Sequence, residues 1–574
     1  MKRKRKIMLC GVMVLVMALV MAMPMSVSAA TAVGTPQQLQ EAISSATDGE
    51  ETVINLSTDI VISSISIPQN KNIVLDLSGN ELTVEGGVSV TDSAFINNER
   101  SGAVCNEGNL TIRNGNVIIS GQNDGILNKG TLTVESSAVV NGTLNEYSGY
   151  YNIINLGGEV DISGDIISSN NNGIVTYGGS VNTNGDITAM NEKASAVVIF
   201  NREYNNESAG ANVTISGGTI NTYGYVASTN NLYSGGENGS NLTITGGSLN
   251  SHISSIYWPS SGTLTIGVRE TTEGPTITST NGSAVEVCSG TLNVYGGTLN
   301  GGTEQTETDR IETSEMWVKA FRENSGSSGI GDAVTIIAKR SGGYVSAPIS
   351  VNIFGGEFNG ARNYGVRYMD CNTTESATQL TQDVSVNIDG GNFSGEIAPV
   401  DASFVEETDK KIVSGGEFSA PVPEEYVATG VEAKATYSNN GVTTYLVGKK
   451  AIDEKISSIT EGTITITDAV DGLQFNAPND GVSFVNESET DIVVGSGDEE
   501  MVVGSNEKYQ KPGSPSKPTQ PSTTTPADET TAASNDKAVA TGDDFNMTSL
   551  LAIMGVAAAA AAGTVVYGRR KRSN

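Results

Sequence analysis

One pattern recurs through the middle of the chain and limits how it can fold: apolar, any, apolar, any, Gly-Gly, any, apolar. Its five full copies are residues 213–220, 242–249, 292–299, 351–358 and 386–393. Period-two alternation predicts short strands, and the glycine pair between them predicts a turn with backbone angles closed to other residues. Repetition at roughly 25 to 30 residues is typical of a solenoid, in which each turn buries its apolar residues against the next.

Two degenerate copies extend this repeat on either side. Residues 110–117 keep the spacing but have Asn114-Gly115 in place of the glycine pair. A later copy at Gly415-Gly416 has Lys411 where the first apolar residue is expected. Four asparagines each follow the last apolar residue of a copy, and we expect them to form a ladder of side-chain amides or simple turn positions: Asn221, Asn250, Asn300 and Asn359.

A short amphipathic helix is predicted at the start of the solenoid. Thr35 and Gln38 fit a capping box, with Pro36 at the first helical position. The apolar residues that follow lie on one helical face, namely Leu39, Ala42, Ile43 and Ala46. Such a helix would cover the otherwise open end of a stacked sheet.

These repeats resemble the right-handed parallel β-helix proteins that bacteria secrete, which have the pectate-lyase-like fold. The resemblance covers residues 35–428 and implies an all-β fold, with a right-handed parallel β-helix over residues 31–430 behind the capping helix. Because that fold hosts lyases, hydrolases, adhesins and passive stalks, it does not fix the function. Residues 431–506 lose the motif but keep alternating strands, which predicts a small β module or irregular final turns.

The N-terminus predicts export. Residues 2–6 are all basic, residues 7–22 are apolar, and small residues follow. This is the plan of a secretory signal peptide over residues 1–30, with cleavage at Ala29 or Ala30.

The C-terminus predicts a tether. Residues 507–537 form a Pro/Thr/Ser-rich spacer, and residues 538–574 hold an apolar run of transmembrane length followed by a basic tail. The order resembles a sortase-type sorting signal, whose family pattern is Leu-Pro-x-Thr-Gly, but only Thr541 and Gly542 match. Covalent linkage to peptidoglycan and simple membrane retention through the C-terminal helix both remain open, and either would hold the protein at the cell surface.

Charge and cysteine content exclude several classes of function. The formal net charge of -31 makes nucleic acid an unfavourable partner, because like charges repel.

Three cysteines follow the predicted signal peptide, at positions 105, 288 and 371. Their odd number and wide spacing predict small buried hydrophobes rather than a disulfide framework.

No catalytic or metal-binding constellation is evident in the sequence. The only histidine is His252, so the Gly-His-Gly element of polygalacturonase-like members is missing, and zinc-protease chemistry is excluded. Lyases of this fold need a basic residue beside calcium-binding carboxylates. Lys339 and Arg340 near Asp332 come closest, but adjacent charges at a strand end favour a solvent-facing role, as does decoration for Arg113. Calcium therefore stays open as a cofactor, with no metal ligands assigned.

Two groups of residues predict ligand binding. The longest departure from the repeat, residues 303–344, places basic and aromatic side chains in a strongly acidic chain, including Arg310, Trp317, Lys319 and Arg322. Inserted loops on rigid scaffolds often carry binding sites. The second group is aromatic and consists of Tyr223, Tyr225, Tyr233, Tyr257 and Trp258. Its rings fit stacking on sugars or, equally, packing against the outer wall.

These features favour a cell-surface, adhesin-like binding protein that recognises polysaccharide, other glycans or host glycoprotein through loops on a β-helix. A polysaccharide lyase or glycoside hydrolase with an unrecognised site is the alternative from a different class. A structural stalk without a specific ligand is the third.

Overall fold

The computed structural model describes residues 30–91, 99–121, 123–144, 151–191, 194–200, 203–204, 207–208, 210–230, 239–304, 331–339, 348–371, 383–404 and 410–510. The predicted sorting signal and C-terminal apolar segment lie outside these ranges, as do nearly all of the predicted signal peptide and spacer. No helix within the described ranges is long and apolar enough to cross a membrane.

The chain is all-β apart from short helices, and its long parallel sheets fit a parallel β-helix. Successive turns contribute strands to three faces, and the strands of each face pair with those of neighbouring turns. The first face holds Thr31–Val33, Glu51–Leu56, Asn72–Asp76, Asn109–Arg113, Thr131–Val134, Glu159–Ile162, Ser180–Thr183, Asn212–Ile215, Ser240–Ile244, Gly262–Ile266, Gly290–Val294, Ile349–Ile353 and the first half of Val384–Ser394.

The second face follows the first across the glycine turn. It holds Ile60–Ile62, Glu81–Val84, Gly115–Gly121, Ala138–Leu144, Asp165–Ser168, Ile187–Ala189, Thr219–Thr222, Ser248–Ser251, Thr276–Ser279, Thr298–Asn300, Glu357–Asn359, the second half of Val384–Ser394, and Val413–Phe418. A turn without a glycine pair, built on Gly262–Ile266 and Thr276–Ser279, fills the wide gap between two copies of the motif.

The third face completes each turn. It holds Ile65–Ile67, Glu99–Asn106, Asp124–Asn128, Tyr151–Asn155, Asn172–Thr176, Val197–Phe200, Ala227–Asn230, Ile256–Trp258, Val285–Val287, Val334–Lys339, Tyr364–Cys371 and Ala398–Phe404. Val88–Thr91 pairs antiparallel with its second strand, and Glu203–Tyr204 pairs with Glu207–Ser208 as a separate hairpin.

The glycine pair is required by geometry at the turn between the first two faces. Gly218 has φ +77°, which favours glycine, and an added Cβ would lie 2.2 Å from the carbonyl oxygen of Gly185. Gly297 and Gly356 also have positive φ. The strand–turn–strand prediction from the repeated motif is thus confirmed.

Apolar side chains of all three faces meet in one continuous core that extends from Val33 to Val447. Three phenylalanines stack in register inside it, with ring centroids 4.6 Å apart for Phe358 and Phe393 and 5.0 Å apart for Phe393 and Phe418. Each fully buried side chain of this size contributes about 1.5–3 kcal/mol, so stability accumulates turn by turn.

The predicted N-terminal helix is present as Pro36–Ser45. Thr35 Oγ1 accepts the backbone N–H of Gln38 at 3.2 Å, and Gln38 Oε1 accepts the N–H of Gly34 at 2.8 Å. Leu39, Ala42 and Ile43 are buried in the solenoid core, so the helix packs against the first turn as the sequence predicts.

A second group of elements lies at the other end: the strands Ala433–Asn439, Val442–Val447, Gly462–Ala469, Gln474–Phe475, Val482–Asn486, Ile492–Val494, Met501–Val503 and Glu507–Lys508, the helix Lys449–Ser458, and the 3-10 turns Glu424–Tyr426 and Gly497–Glu499. Val442–Val447 pairs antiparallel with the last strand of the second face. Because these elements enclose a core of their own, they fit the interpretation as a small β module.

The predicted asparagine ladder is present on the outer side of the second face. Asn250 donates to Asn221 at 3.1 Å, and Asn359 donates to Asn300 at 2.8 Å. Between the two pairs stands Thr278, whose hydroxyl accepts from Asn300 at 3.1 Å. The extra turn without a glycine pair supplies this threonine, so Asn250, Thr278 and Asn300 stay in register although the motif is interrupted.

Candidate functional site on the third face

The outer side of the third face changes its chemistry halfway along the solenoid. Side chains in register on successive strands, called the outer row, point away from the core because they alternate with core residues. The outer row runs through Cys105, Leu127, Ile154, Val175, Val198, Ser228, Tyr257, Glu286, Thr335, Arg367 and Asp401. Its first five members are apolar and form a separate buried cluster, whereas the last six are polar or charged.

Every polar member of the outer row is buried, although it faces away from the core. Glu286, Thr335 and Arg367 have no exposed surface, and Tyr257 and Asp401 are each 5 % exposed. Burying a charge is unfavourable unless it is paired, and buried ionisable groups are often found at functional sites. This half of the outer row is therefore the candidate functional site.

Arg367 and Asp332 form its central ion pair, at 2.9 Å between Nε and Oδ2. The second guanidinium nitrogen lies 3.2 Å from Asp332 Oδ1, and the guanidinium carbon lies 4.5 Å from the centre of the Tyr364 ring. Asp332 also accepts from the Thr335 hydroxyl at 2.9 Å and from the backbone N–H of Tyr364 at 3.2 Å. Burial raises the pKa of Asp332, while Arg367 and these donors oppose the shift.

The carboxylate of Glu286 lies one strand away from this ion pair. The Ser254 hydroxyl donates to Glu286 Oε2 at 3.4 Å, and the Ser283 hydroxyl is 2.6 Å from that of Thr335. Hydroxyl groups thus connect Glu286 and Asp332 to neighbouring turns. Linked networks of this kind hold side chains rigidly.

The corner before the third face is built from polar side chains that accept a backbone N–H of the next turn. They are Asp124 from Tyr151 (3.0 Å), Asn172 from Ser195 (2.6 Å), Ser195 from Tyr225 (3.2 Å), Ser254 from Ser283 (3.2 Å) and Asp332 from Tyr364 (3.2 Å). Asp332 therefore belongs both to this corner row and to the candidate site.

The candidate site lies at the base of the predicted binding loop. The chain leaves the solenoid after Glu304, whose N–H is bound by Thr280 O at 3.0 Å, and returns at Gly331, directly before Asp332. The loop residues Arg310, Trp317, Lys319 and Arg322 lie outside the described residues, so their binding role stays a prediction. The structure fixes where the loop begins and ends.

Two members of the predicted aromatic group, Trp258 and Tyr257, are packed within the structure. Trp258 is fully buried in the core, so its ring offers no face to a sugar, and its role in this structure is packing. Tyr257 is 5 % exposed and stacks on Tyr225 with ring centroids 5.3 Å apart. Tyr225 therefore covers one face of the Tyr257 ring, and burial leaves little of that ring for a ligand.

The remaining candidates have structural partners. His252 Nδ1 is 3.0 Å from the Thr280 hydroxyl, beside the ring of Tyr223 at 4.5 Å. Arg113 pairs with Asp76 at 3.0 Å, as expected for a decorating residue. Asp332 pairs with Arg367, whereas the sequence suggested Lys339 and Arg340 as its basic neighbours; the Lys339 side chain and Arg340 lie outside the described parts.

Two of the three cysteines fit the predicted role as buried hydrophobes. Cys105 and Cys288 are buried and free of disulfide bonds. Burial raises the pKa of the Cys105 thiol to about 11, which keeps it protonated and unreactive. The side chain of Cys371 is not among those described. Within the described ranges, no group of three or more His, Cys, Asp or Glu side chains could hold a metal ion.

Sequence reasoning singled out Asp332 but missed Glu286 and Arg367, although a signal for both was present. Glu286 lies between Val285 and Val287, and Arg367 lies between Val366 and Tyr368. A charge inside a short apolar strand indicates a face that is covered on both sides, but only the register shows that such charges align.

Comparisons of the chain with protein-family models, with curated proteins and with solved structures find no match.

Proposed function

We propose that this chain is an exported, surface-anchored binding protein. In this proposal a right-handed β-helix displays residues 305–330 as an adhesin-like loop that recognises glycans or a host glycoprotein. The observation that carries the proposal is that the inserted loop is rooted within the polar half of the outer row, between the strands that hold Glu286 and Thr335. The same outer-row positions hold leucine, isoleucine or valine in the apolar half, so folding of this face does not require Glu286 or Arg367 there.

The arrangement supports binding better than acid–base chemistry. The Asp332 carboxylate receives Arg367, Thr335 and the Tyr364 N–H, which occupies its lone pairs. Such a network suits a rigid base for a loop, because preorganised contacts reduce the entropy lost on binding.

A glycan and mucin array, probed with the full-length chain displayed on cells, tests this function. We expect retention on a subset of glycans, and loss of at least tenfold in the Trp317→Ala variant. Unchanged retention in that variant would remove the loop from the proposal. If the wild-type chain binds nothing on the array, the stalk alternative is favoured.

One observation favours a second candidate, a polysaccharide lyase or glycoside hydrolase. Glu286 is a fully buried carboxylate on the outer row, and buried carboxyls at perturbed sites are frequent in acid–base catalysis. Incubation with acidic polysaccharides, with and without calcium, decides between the two. Bond cleavage that is lost in Glu286→Gln would establish the enzyme and overturn the pure binding role.

Anchoring is a separate part of the proposal and has its own test. The Thr541-Gly542 pair followed by an apolar run supports attachment at the cell wall or the plasma membrane. Release by detergent alone would show membrane retention, whereas release only by wall-digesting enzyme would show covalent linkage.

A further inference from the structure

The outer side of the first face is free of charge where seven successive strands pair, from Ser180–Thr183 to residues 384–388 of Val384–Ser394, and Asp389 follows directly at the turn. Each strand contributes two outward side chains, and all of these are serine, threonine or asparagine: Ser180, Asn182, Asn212, Thr214, Asn241, Thr243, Thr263, Thr265, Thr291, Asn293, Ser350, Asn352, Ser385 and Asn387. We call this surface the uncharged array.

The absence of charge is unusual for this chain. Charged residues make up 17 % of the sequence and normally concentrate on the surface, so about two would be expected here by chance alone. The preceding strand of the same face carries Glu159 and Asp161, so the face tolerates charge where the array ends. The fold therefore does not require an uncharged surface.

The array is held in place by hydrogen bonds between turns. Asn241 donates to Asn212 at 3.0 Å, and Asn352 donates to Asn293 at 3.1 Å. Parallel strands fix the rows about 4.8 Å apart, and outward residues of one strand lie about 6.6 Å apart. Asn352 also donates to Ser350 at 3.4 Å. An amide that makes a single bond of this kind keeps a second N–H and a lone pair that can face outward, which gives a regular series of donors and acceptors.

The hydrogen-bonding groups of the uncharged array and its lack of charge limit the kind of ligand that it can bind. An anionic polymer is repelled by a chain with net charge -31 and finds no Lys or Arg on the array. A cation would be drawn to the acidic surfaces outside it. An uncharged chain of sugar residues has hydroxyl groups that both donate and accept, repeats along its length, and meets no charge that must be desolvated.

We propose that the uncharged array binds an uncharged polysaccharide laid along the solenoid axis. This inference rests on the proposed binding function and names its ligand class. The site is distinct from the loop at residues 305–330, which is rooted on the third face.

Retention of the full-length chain, displayed on cells, on insoluble polysaccharides tests the inference. The probes are cellulose, chitin and an insoluble neutral glucan, with cross-linked polygalacturonate as the charged comparison. We expect retention on at least one neutral probe, and at least tenfold weaker retention in Asn241→Arg, because a long side chain would lift the polymer off the flat surface. Preference for polygalacturonate would overturn the inference.

Ser248→Arg is the matched control. Ser248 lies on the second face of the same turn, is exposed like Asn241, and likewise takes part in one side-chain hydrogen bond, with Asn250. We expect its retention to equal that of the wild type. Equal losses in both variants would overturn the assignment to the first face.

Two further outcomes separate this inference from the proposed function. If glycan binding is lost in Trp317→Ala but unchanged in Asn241→Arg, the inference fails while the proposed function stands. If the wild-type chain binds no glycan of any kind, both fail. A dimer that Asn241→Arg dissociates would show that a second copy occupies the array, which also overturns the inference.

Discussion

Two corners of the solenoid each hold an ion pair between an aspartate and an arginine, and the two pairs differ in how deeply they are buried. At one, Asp124 pairs with Arg100 at 2.5 Å; at the other, Asp332 pairs with Arg367 at 2.9 Å. In each, the guanidinium lies over a tyrosine ring of the turn that follows the aspartate, 4.8 Å away for Tyr151 and 4.5 Å away for Tyr364. Each tyrosine also donates its backbone N–H to the aspartate.

The two ion pairs differ in the exposure of the arginine side chain. Arg100 keeps 18 % of its side chain exposed, whereas Arg367 has none exposed, and both aspartates are fully covered. Arg100 lies beside the apolar half of the outer row, and Arg367 is itself a member of the polar half. The first corner therefore serves the fold, while the second places the same ion pair inside the candidate site.

The largest effect is expected when the buried arginine is removed. Arg367→Met leaves Asp332 buried without its partner, and breaking a buried pair costs about 3–5 kcal/mol. We expect the third-face strands around residues 334–371 to lose hydrogen-exchange protection, because solenoids unfold locally. Protection equal to that of the wild type would show that the pair is not needed there.

The pH dependence of stability should expose the first corner. Burial raises the pKa of Asp124 to about 6 against the opposing effect of Arg100, whereas an unfolded aspartate has a pKa of about 3.9. Between these values the folded state binds more protons than the unfolded state, so this group's contribution to the free energy of unfolding falls as pH rises from about 4 to about 6. The expected fall is on the order of 2–3 kcal/mol.

Asp124→Asn isolates that contribution, because the difference between variant and wild type cancels the other carboxylates. Urea unfolding of both chains at pH 4, 5, 6 and 7 measures it. A difference that stays constant over this range would contradict the raised pKa.

Arg100→Met should cost less than Arg367→Met, about 2 kcal/mol, because solvent partly replaces the lost partner of Asp124. Hydrogen exchange around residues 124–128 is the readout. If the two methionine variants lose equal protection, the difference in burial between the corners has no energetic consequence.

The smallest effect is expected from Thr335→Val, which keeps the shape but removes the hydroxyl that donates to Asp332. Loss of one hydrogen bond to a carboxylate costs about 1.5 kcal/mol. Among the described residues, the first corner has no equivalent threonine contact to Asp124. The comparison of Thr335→Val with the wild type therefore measures the stability that this extra hydroxyl adds at the candidate site. No change in the thermal midpoint would mean that Arg367, and not Thr335, stabilises the buried Asp332 carboxylate.

Much of the architecture follows from local pattern. The alternation around each glycine pair predicts two strands and a turn, and the positive φ of Gly218, Gly297 and Gly356 confirms it. The capping helix was predictable for the same reason, since Thr35, Pro36 and Gln38 act within one helical turn. The extra turn at residues 262–279 was not located, because its bend uses no glycine pair.

The candidate site could not be predicted from local sequence pattern. Three strands separate Asp332 from Arg367 in the sequence, namely Val334–Lys339, Ile349–Ile353 and Glu357–Asn359, and Glu286 is further removed. Spacing within the chain gives no sign of their proximity, because insertions between turns change the separation while the register stays the same. The choice between the two interpretations of the aromatic group also needed the structure, because only the stacking of turns showed that Trp258 faces inward and that Tyr257 stacks on Tyr225.

The sequence by itself determined the repeating strand, the turn and the cap, because each depends on residues a few positions apart. Its two ends also predict export and a tether, which remain predictions. Tertiary structure decided which side chains share a row, since the register of parallel strands places residues of different turns about 4.8 Å apart whatever their distance in the chain. That register turns scattered polar residues into a buried ion-pair network on one face and an uncharged grid on another.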